Sequence, residues 1–235
     1  MDKDVFLNIL RSFCIDIDEK QLELLFELMH LTLKKNEIMN LTSITDKDEF
    51  LSKMILDSAL SLNDINLDDI NNVIDVGSGG GFPGLVLAII YPNINFTLLD
   101  ATKKKCDHIR EVALQLDLNN VSVVNERAEI YGASNREKFD LVVARAVSYL
   151  NILLELCIPF VKVNGKFIAL KGKIADDELE QSKNALGKLH CKLINQYNYE
   201  LLNENGKRTN FHFLKLKETS KNYPRSYNVI KKKPL

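Results

Sequence analysis

Between Asp75 and Gly84 the chain reads Asp-Val-Gly-Ser-Gly-Gly-Gly-Phe-Pro-Gly, at the end of a short β-branched run that starts at Asn72. Glycines in such a turn reach backbone angles closed to other residues and let the chain approach a ligand closely. A helix opening at Pro83 adds unsatisfied N–H groups. Two chemistries fit the spacing. Gly79-x-Gly81-x-x-Gly84, with Asp100 at the distance of a ribose-binding acid, matches a dinucleotide fingerprint and hence hydride transfer. Asp75-x-Gly77-x-Gly79-x-Gly81 matches a loop that holds S-adenosylmethionine, a methyl donor. The second accounts for more residues: a glycine immediately after the strand, and an acid two residues before it that could lie near the cationic amino-acid end of that cofactor.

Other residues then acquire roles. Asp100 closes the next strand and can accept both ribose hydroxyls. Arg127-Ala128-Glu129 follows the third strand, where a backbone N–H can reach an adenine edge and a small side chain can frame it. Arg145 ends the fourth strand, and its planar fork could hold a phosphate or a guanine O6, or form a salt bridge to Asp75 or Glu129. An amine-methylating enzyme usually carries an Asn/Asp-Pro-Pro-aromatic turn there, and pyrimidine carbon-5 methylation needs a cysteine nucleophile. This chain has Ala144-Arg145-Ala146-Val147 instead, and Cys157 lies in an apolar helical stretch. The two commonest activated-substrate routes thus lack their residues, whereas a nucleophile with its own free lone pair, of which guanine N7 is one, needs neither a base nor a covalent step. Its methylation depends on positioning and electrostatics.

The elements that position these residues follow from periodicity. Apolar residues recur at helical spacing through Val5–Phe13 and Leu22–Leu33, the second helix capped by Asp18 and broken at Asn40-Leu-Thr42. Thr45 is the expected N-cap of a third helix through Ala59. Strands are then expected at 72–76, 95–100, 121–124, 139–144, 165–170, 192–202 and 208–217. Helices are expected at 83–90, from Thr102 through Leu116, at 150–161 and at 176–189. Alternating β and α units with nearly continuous apolar strands mean an α/β protein with a mostly parallel seven-stranded sheet covered on both faces. Its parts are a helical cap over residues 1–65, a ligand-binding domain over 66–220 and a basic surface tail over 221–235.

With 46% hydrophobic and 27% charged residues, the 235-residue chain can bury a core, which excludes wholesale disorder. The net charge of −1 conceals polarity: residues 1–70 hold 7 basic and 15 acidic residues, whereas residues 206–235 hold 9 basic and 1 acidic. A polyanion reached through the tail fits this asymmetry, and a strongly basic nucleic-acid binder does not. Cys14, Cys106, Cys157 and Cys191 form no C-x-x-C pair and read as buried thiols. His30, His108, His190 and His212 are dispersed, so no metal is assigned. Met1 leads into Asp-Lys-Asp rather than an apolar signal, and no apolar run nears the ~20 residues of a membrane span. A cytoplasmic monomer is expected.

The ordered set Asn40-Leu-Thr-Ser43, Ile55-Leu-Asp57-Ser58, Ile74–Gly84, Thr97–Asp100, Lys104, Arg127–Glu129, Ala144–Ala146, Ala169–Gly172, Tyr223-Pro-Arg225 and Lys232–Leu235 is specific. From about residue 20 onward the chain resembles the bacterial small-subunit ribosomal RNA guanine-N7 methyltransferases (RsmG, also called GidB). The resemblance implies a class I, Rossmann-like methyltransferase fold with an N-terminal helical cap, S-adenosylmethionine as cofactor, and methyl transfer to N7 of guanine 527 of 16S rRNA in the small ribosomal subunit. It carries cofactor contacts over to Gly77, Phe82, Ala128, Glu129 and Arg145, with Arg145 also the positioning candidate, and Asp100 matches its ribose-binding acid less closely; Gly79 joins them from the glycine loop itself. Candidates for the phosphate path are Lys171, Lys173, Arg225, Lys231, Lys232 and Lys233, and Phe82 or Tyr149 could stack the flipped base. The family often has His where this chain has Met54, while Asp57 and Ser58 remain and could join the cap to the glycine loop. A nicotinamide-dependent reductase and a non-catalytic RNA-binding module stay open as alternatives.

Overall fold

The computed structural model describes residues 1–145, 148–172, 175–202 and 206–235. Two helices lead the chain, α1 (Lys3–Ser12) and α2 (Glu19–Met39). Asp18 and Gln21 close a capping box at the start of α2, and Asn40, at φ 50°, ends it. Next, α3 (Lys47–Phe50) runs through a π-helical turn (Leu51–Leu56) into α4 (Asp57–Ala59) and a 3₁₀ turn (Leu60–Leu62). The cap of α3 is Asp46, whose carboxylate accepts from the Glu49 N–H at 2.8 Å, rather than Thr45. The aspartate stands one position closer to the orphan N–H groups, and as an anion it also complements the helix dipole.

The strands come next: β1 (Asn72–Val76), β2 (Asn95–Asp100), β3 (Val121–Asn125), β4 (Phe139–Arg145), β5 (Val161–Lys171), β6 (Cys191–Glu200) and β7 (Lys207–Lys215). Helices α5 (Gly84–Ile90), α6 (Lys103–Gln115), α7 (Ala128–Ser134), α8 (Leu150–Cys157), α9 (Ala175–Gln181) and α10 (Lys183–Lys188) lie between them, and α11 (Tyr227–Lys232) follows. Among the described residues the sheet has seven strands in the order β3-β2-β1-β4-β5-β7-β6, with β7 antiparallel to both its neighbours. This is the mostly parallel seven-stranded α/β sheet expected from the alternation.

Period-2 alternation divides each central strand between two cores. Val73, Leu141, Val143, Ile168 and Leu170 face a cluster that includes α5, α6 and the α1 and α2 residues Phe6, Leu10, Leu22 and Leu25. Ile74, Val76, Val142, Ala144, Phe167 and Ala169 face α8 on the other side. Both faces of the sheet are thus buried, as a mostly parallel sheet requires.

Several expectations need correction. The helix expected at 150–161 ends at Cys157, turns as 3₁₀ through Ile158–Phe160 and enters a longer β5 at Val161, because Pro159 lacks the N–H to continue it. The stretch 176–189 is two helices, and α7 had no periodic signal in its seven residues. Cys14 is exposed, while the other three cysteines are buried. The last segment is not a loose surface tail: Ile230 is fully buried and Leu235 nearly so, both in the second core. Among the described residues no helix is long and apolar enough to cross a membrane.

Candidate active site

Three cavities run in a row across the carboxyl ends of β1, β2, β4 and β5. The first, about 190 Å³, lies between the ends of β1 and β2 and the start of α7, with Gly77, Asp100, Ala128 and Glu129 in its wall. The second, about 460 Å³, shares Gly77 and Asp100 with the first and adds Gly79, Phe82, Met54 and Arg145. The third, about 740 Å³, shares Met54 and Arg145 with the second and extends to Asp57, Tyr149, Lys171, Glu178 and Arg208.

Backbone geometry builds the first two. The Gly77 and Ser78 N–H groups both donate to Leu99 O, at 2.8 and 3.1 Å, which pins the glycine loop to β2. Gly77 takes φ 78°, a left-handed angle that penalises a side chain. Asp100 locks the loop from below: its Oδ2 accepts from Gly79 N at 2.9 Å and its Oδ1 from Thr102 N at 2.7 Å. A carboxylate has further lone pairs, so both oxygens can still accept from a ligand. Asp75 is fully buried within β1. Its Oδ2 accepts from Gly84 N at 3.0 Å, and Oδ1 has no partner among the described residues. Burial drives its pKa up to about 7 against the opposing Gly84 hydrogen bond and Arg145 charge. Gly84 must be glycine because a Cβ there would sit 2.7 Å from Leu98 and 2.9 Å from Asp75. Asp75 therefore serves the loop's packing and does not line either cavity.

Side chains build the third. Arg145 makes no salt bridge to Asp75 or Glu129. Its Nη1 donates to Lys53 O at 3.1 Å and Asp57 Oδ2 at 3.2 Å, its Nη2 lies 3.5 Å from Met54 Sδ, and its guanidinium stands 5.9 Å from the Phe82 ring. Asp57 and Ser58 thus join the cap to the sheet arginine rather than to the glycine loop. Asp57, buried, also accepts from Tyr199 Oη at 2.9 Å and pairs with Arg208 Nε at 3.4 Å. Burial first, then Asp57, pushes the Tyr199 hydroxyl well above its usual range, so it stays a donor.

Of the aromatic candidates, Phe82 packs edge-on against Phe50 at 5.6 Å and is nearly buried, whereas Tyr149 is 61% exposed in the wall of the third cavity. Lys171 is buried and paired with Glu178 at 2.6 Å, which corrects its reading as a free phosphate contact. Arg225 needs the same correction, since it holds the buried Glu155 through Nε–Oε1 at 2.8 Å and Nη2–Oε2 at 2.6 Å. Lys231, Lys232 and Lys233 are exposed. Lys173 lies outside the described residues. Glu129 pairs with Arg127 at 2.6 Å. Sequence reasoning missed Glu178, Arg208 and Tyr227 at these cavities. They are ordinary surface types in sequence, and only the crossing of α9, β7 and the C-terminal segment brings them here. Cys157 is fully buried, and burial raises its thiol well above the ordinary range, so it is no nucleophile.

A family model described as rRNA small subunit methyltransferase G matches residues 21–195. The Ribosomal RNA small subunit methyltransferase G of Brevibacillus brevis is 40% identical over 100% of this chain and 100% of that protein. Its counterpart by name in Fusobacterium nucleatum is 40% identical over 99% and 100%. Among solved structures, M. jannaschii TYW2 in complex with AdoMet superposes with a TM-score of 0.57 at 15% identity, covering 74% of this chain and 80% of that one. Precorrin-6y C5,15-methyltransferase from Geobacter metallireducens superposes at 0.53 with 16% identity, covering 67% and 87%. At such identities the structural likeness concerns the fold alone.

Proposed function

The chain belongs to the rRNA small subunit methyltransferase G family, and from that premise we propose that it transfers a methyl group from S-adenosylmethionine to N7 of a guanine in 16S rRNA, guanine 527 by the family resemblance. The observation that carries the proposal is the chain of three cavities joined first by Gly77 and Asp100, then by Met54 and Arg145. The residues fit the cofactor. Val76, Leu99, Ala128 and Leu156 offer an apolar slot that would suit adenine, Asp100 would accept from ribose hydroxyls, and the second cavity would take the amino-acid end. When bound, S-adenosylmethionine supplies an electrophilic methyl group on a sulfonium sulfur. The third cavity receives a base turned out of its stack.

The rest is the work of this chain's residues. Arg145 sits at the junction of the second and third cavities, fixed by Asp57 and the Lys53 carbonyl. From there its donors reach a guanine O6 and leave N7 free. Gly77, Asp100 and Ala128 would hold the donor as its methyl group departs and a neutral thioether is left behind, while Arg145 keeps the guanine edge in place as the positive charge comes to rest on the purine. No proton is removed, so no general base is needed. Tyr149 stands at the rim as the stacking surface, and Lys231–Lys233 supply phosphate contacts. Neither a nicotinamide-dependent reductase nor a non-catalytic RNA-binding module is favoured, since the relatives above are methyltransferases by name.

Incubation with labelled S-adenosylmethionine and small ribosomal subunits, followed by mass mapping, tests the reading. Label at N7 of one guanine is expected. Label on another base or another purine position overturns it.

A further inference from the structure

The wall of the first cavity contains a residue from the far end of the chain. Tyr227 opens α11 and borders the same space as Asp100, Ala128 and Leu156. Its ring is held in place. On one side the Arg127 guanidinium lies 4.7 Å from the ring centroid, and Arg127 is itself paired with Glu129 at 2.6 Å. The segment carrying it is clamped before and after. Upstream, Arg225 forks onto the fully buried Glu155 of α8, and the Arg136 guanidinium donates to the carbonyls of Thr219, Ser220 and Tyr223. Downstream, Ile230 is sunk into the core.

We propose that Tyr227 is a cofactor-binding residue that closes the adenine slot and packs its ring against the purine. The proposal rests on the S-adenosylmethionine reading above. An aromatic ring beside the aliphatic residues Val76, Leu99, Ala128 and Leu156 is the group that discriminates a flat heterocycle from other apolar ligands, and base–aromatic contacts are strong for any purine. The clamping matters because a wall residue ordered before the ligand arrives loses little entropy on binding. The role given to the segment is local to the adenosine end, so it does not depend on the methionine end or on RNA.

Calorimetric titration without RNA tests this. Tyr227→Ala should raise the Kd for S-adenosylmethionine roughly tenfold, and by the same factor for 5′-methylthioadenosine, which lacks the amino-acid end. Tyr227→Phe should stay within about twofold, because the ring face is retained. The chain has no tryptophan, so tyrosine emission is readable. Part of it should quench on ligand binding in the unmodified chain, and that part should vanish in Tyr227→Phe. Val229→Ala, on the exposed part of the same helix, is the control for disturbance of the segment and should leave the Kd unchanged. Unaltered Kd values for both ligands in a Tyr227→Ala protein that melts like the unmodified chain overturn the proposal. Absence of S-adenosylmethionine binding by the unmodified chain overturns the cofactor reading itself, a separate outcome.

Discussion

The two ends of the cleft are made of different materials. Around the first two cavities the backbone does most of the holding: two loop N–H groups on Leu99 O, a positive φ at Gly77 and two N–H groups on Asp100. Around the third, side chains do it, with Asp57 gathering Arg145, Arg208 and Tyr199, and Lys171 paired to Glu178. A backbone-built site is local in sequence and intolerant of a single added side chain. A site built from ion pairs draws on residues scattered from 57 to 208 and depends on every partner being present, because an unpaired buried charge is costly. One end should therefore fail by loss of cofactor, the other by loss of stability.

Gly77→Val should show the sharpest break. A β-branched residue at φ 78° is strained, at a position that borders both cavities. S-adenosylmethionine affinity should fall by about 100-fold or more, judged against the several kcal/mol that such crowding and strain combine to cost. Affinity for small-subunit RNA should change little in a filter-binding assay; an equal loss of both would show that the two ends are not separable. Asp57→Ala probes the other end. Removing the shared carboxylate strands two partly buried arginines, and chemical denaturation should show a loss of about 3 kcal/mol. Cofactor affinity should move far less, and a larger effect on the cofactor than on stability would invert the comparison.

Asp75 is where the backbone-built end depends on a buried acid. Its folded pKa is raised to about 7 from 3.8, so from about pH 4 to 7 the folded chain retains a proton that the unfolded chain releases. The unfolded state binds fewer protons there, so this group's contribution makes stability fall as pH rises across that window and then level off. Asp75→Asn removes the contribution, and its stability relative to the unmodified chain should climb from pH 4 to 7 by an amount on the order of 1–3 kcal/mol. A flat difference across that range would show that the acid is not buried as described. The smallest effect is expected from replacing Lys231, Lys232 and Lys233 together with Gln. RNA affinity should drop about tenfold at low salt and the log–log salt slope by about 2, with cofactor affinity unchanged. An identical slope would remove these lysines from the phosphate path.

The same contrast governs what could be seen in the sequence. Gly77, Gly79, Phe82 and Asp100 were legible because a strand–turn–helix unit places them together whatever surrounds it, and the structure gathers them at the first two cavities with Ala128, Glu129 and Arg145. The central strands β1, β2, β4 and β5 were legible because burial on two faces leaves nearly unbroken apolar runs, whereas the edge strands β3 and β6, exposed or half-buried along most of their length, had to be read from β-branched residues and alternation. Glu178, Arg208 and Tyr227 were not, because their positions are set by long-range crossings rather than by local pattern. The tail was misjudged for a related reason. The run of cations from residue 206 onward reads as one solvated polyanion contact, yet Lys207, Arg208 and Lys215, all in β7, pair with Glu200, Asp57 and Glu137. Within the tail Arg225 holds Glu155, so that only part of the charge, Lys231–Lys233 included, faces solvent. Charge counting sees valence and cannot see pairing. Cutting the chain after Lys221 would accordingly leave Glu155 buried without its partner, so it would report on stability before it reported on RNA.

Insertion of β7 between β5 and β6 also imposes an order on synthesis. The edge of β5 is complete long before its neighbour exists, since residues 172–206, 35 in all, must be translated between them. At ribosomal speeds of about 5–20 residues per second, that is a window of some seconds in which a hydrophobic strand has an open flank. During that interval β6 has emerged with no native place to go, and pairing it wrongly onto β5 is the error that a nascent chain of this topology has to avoid.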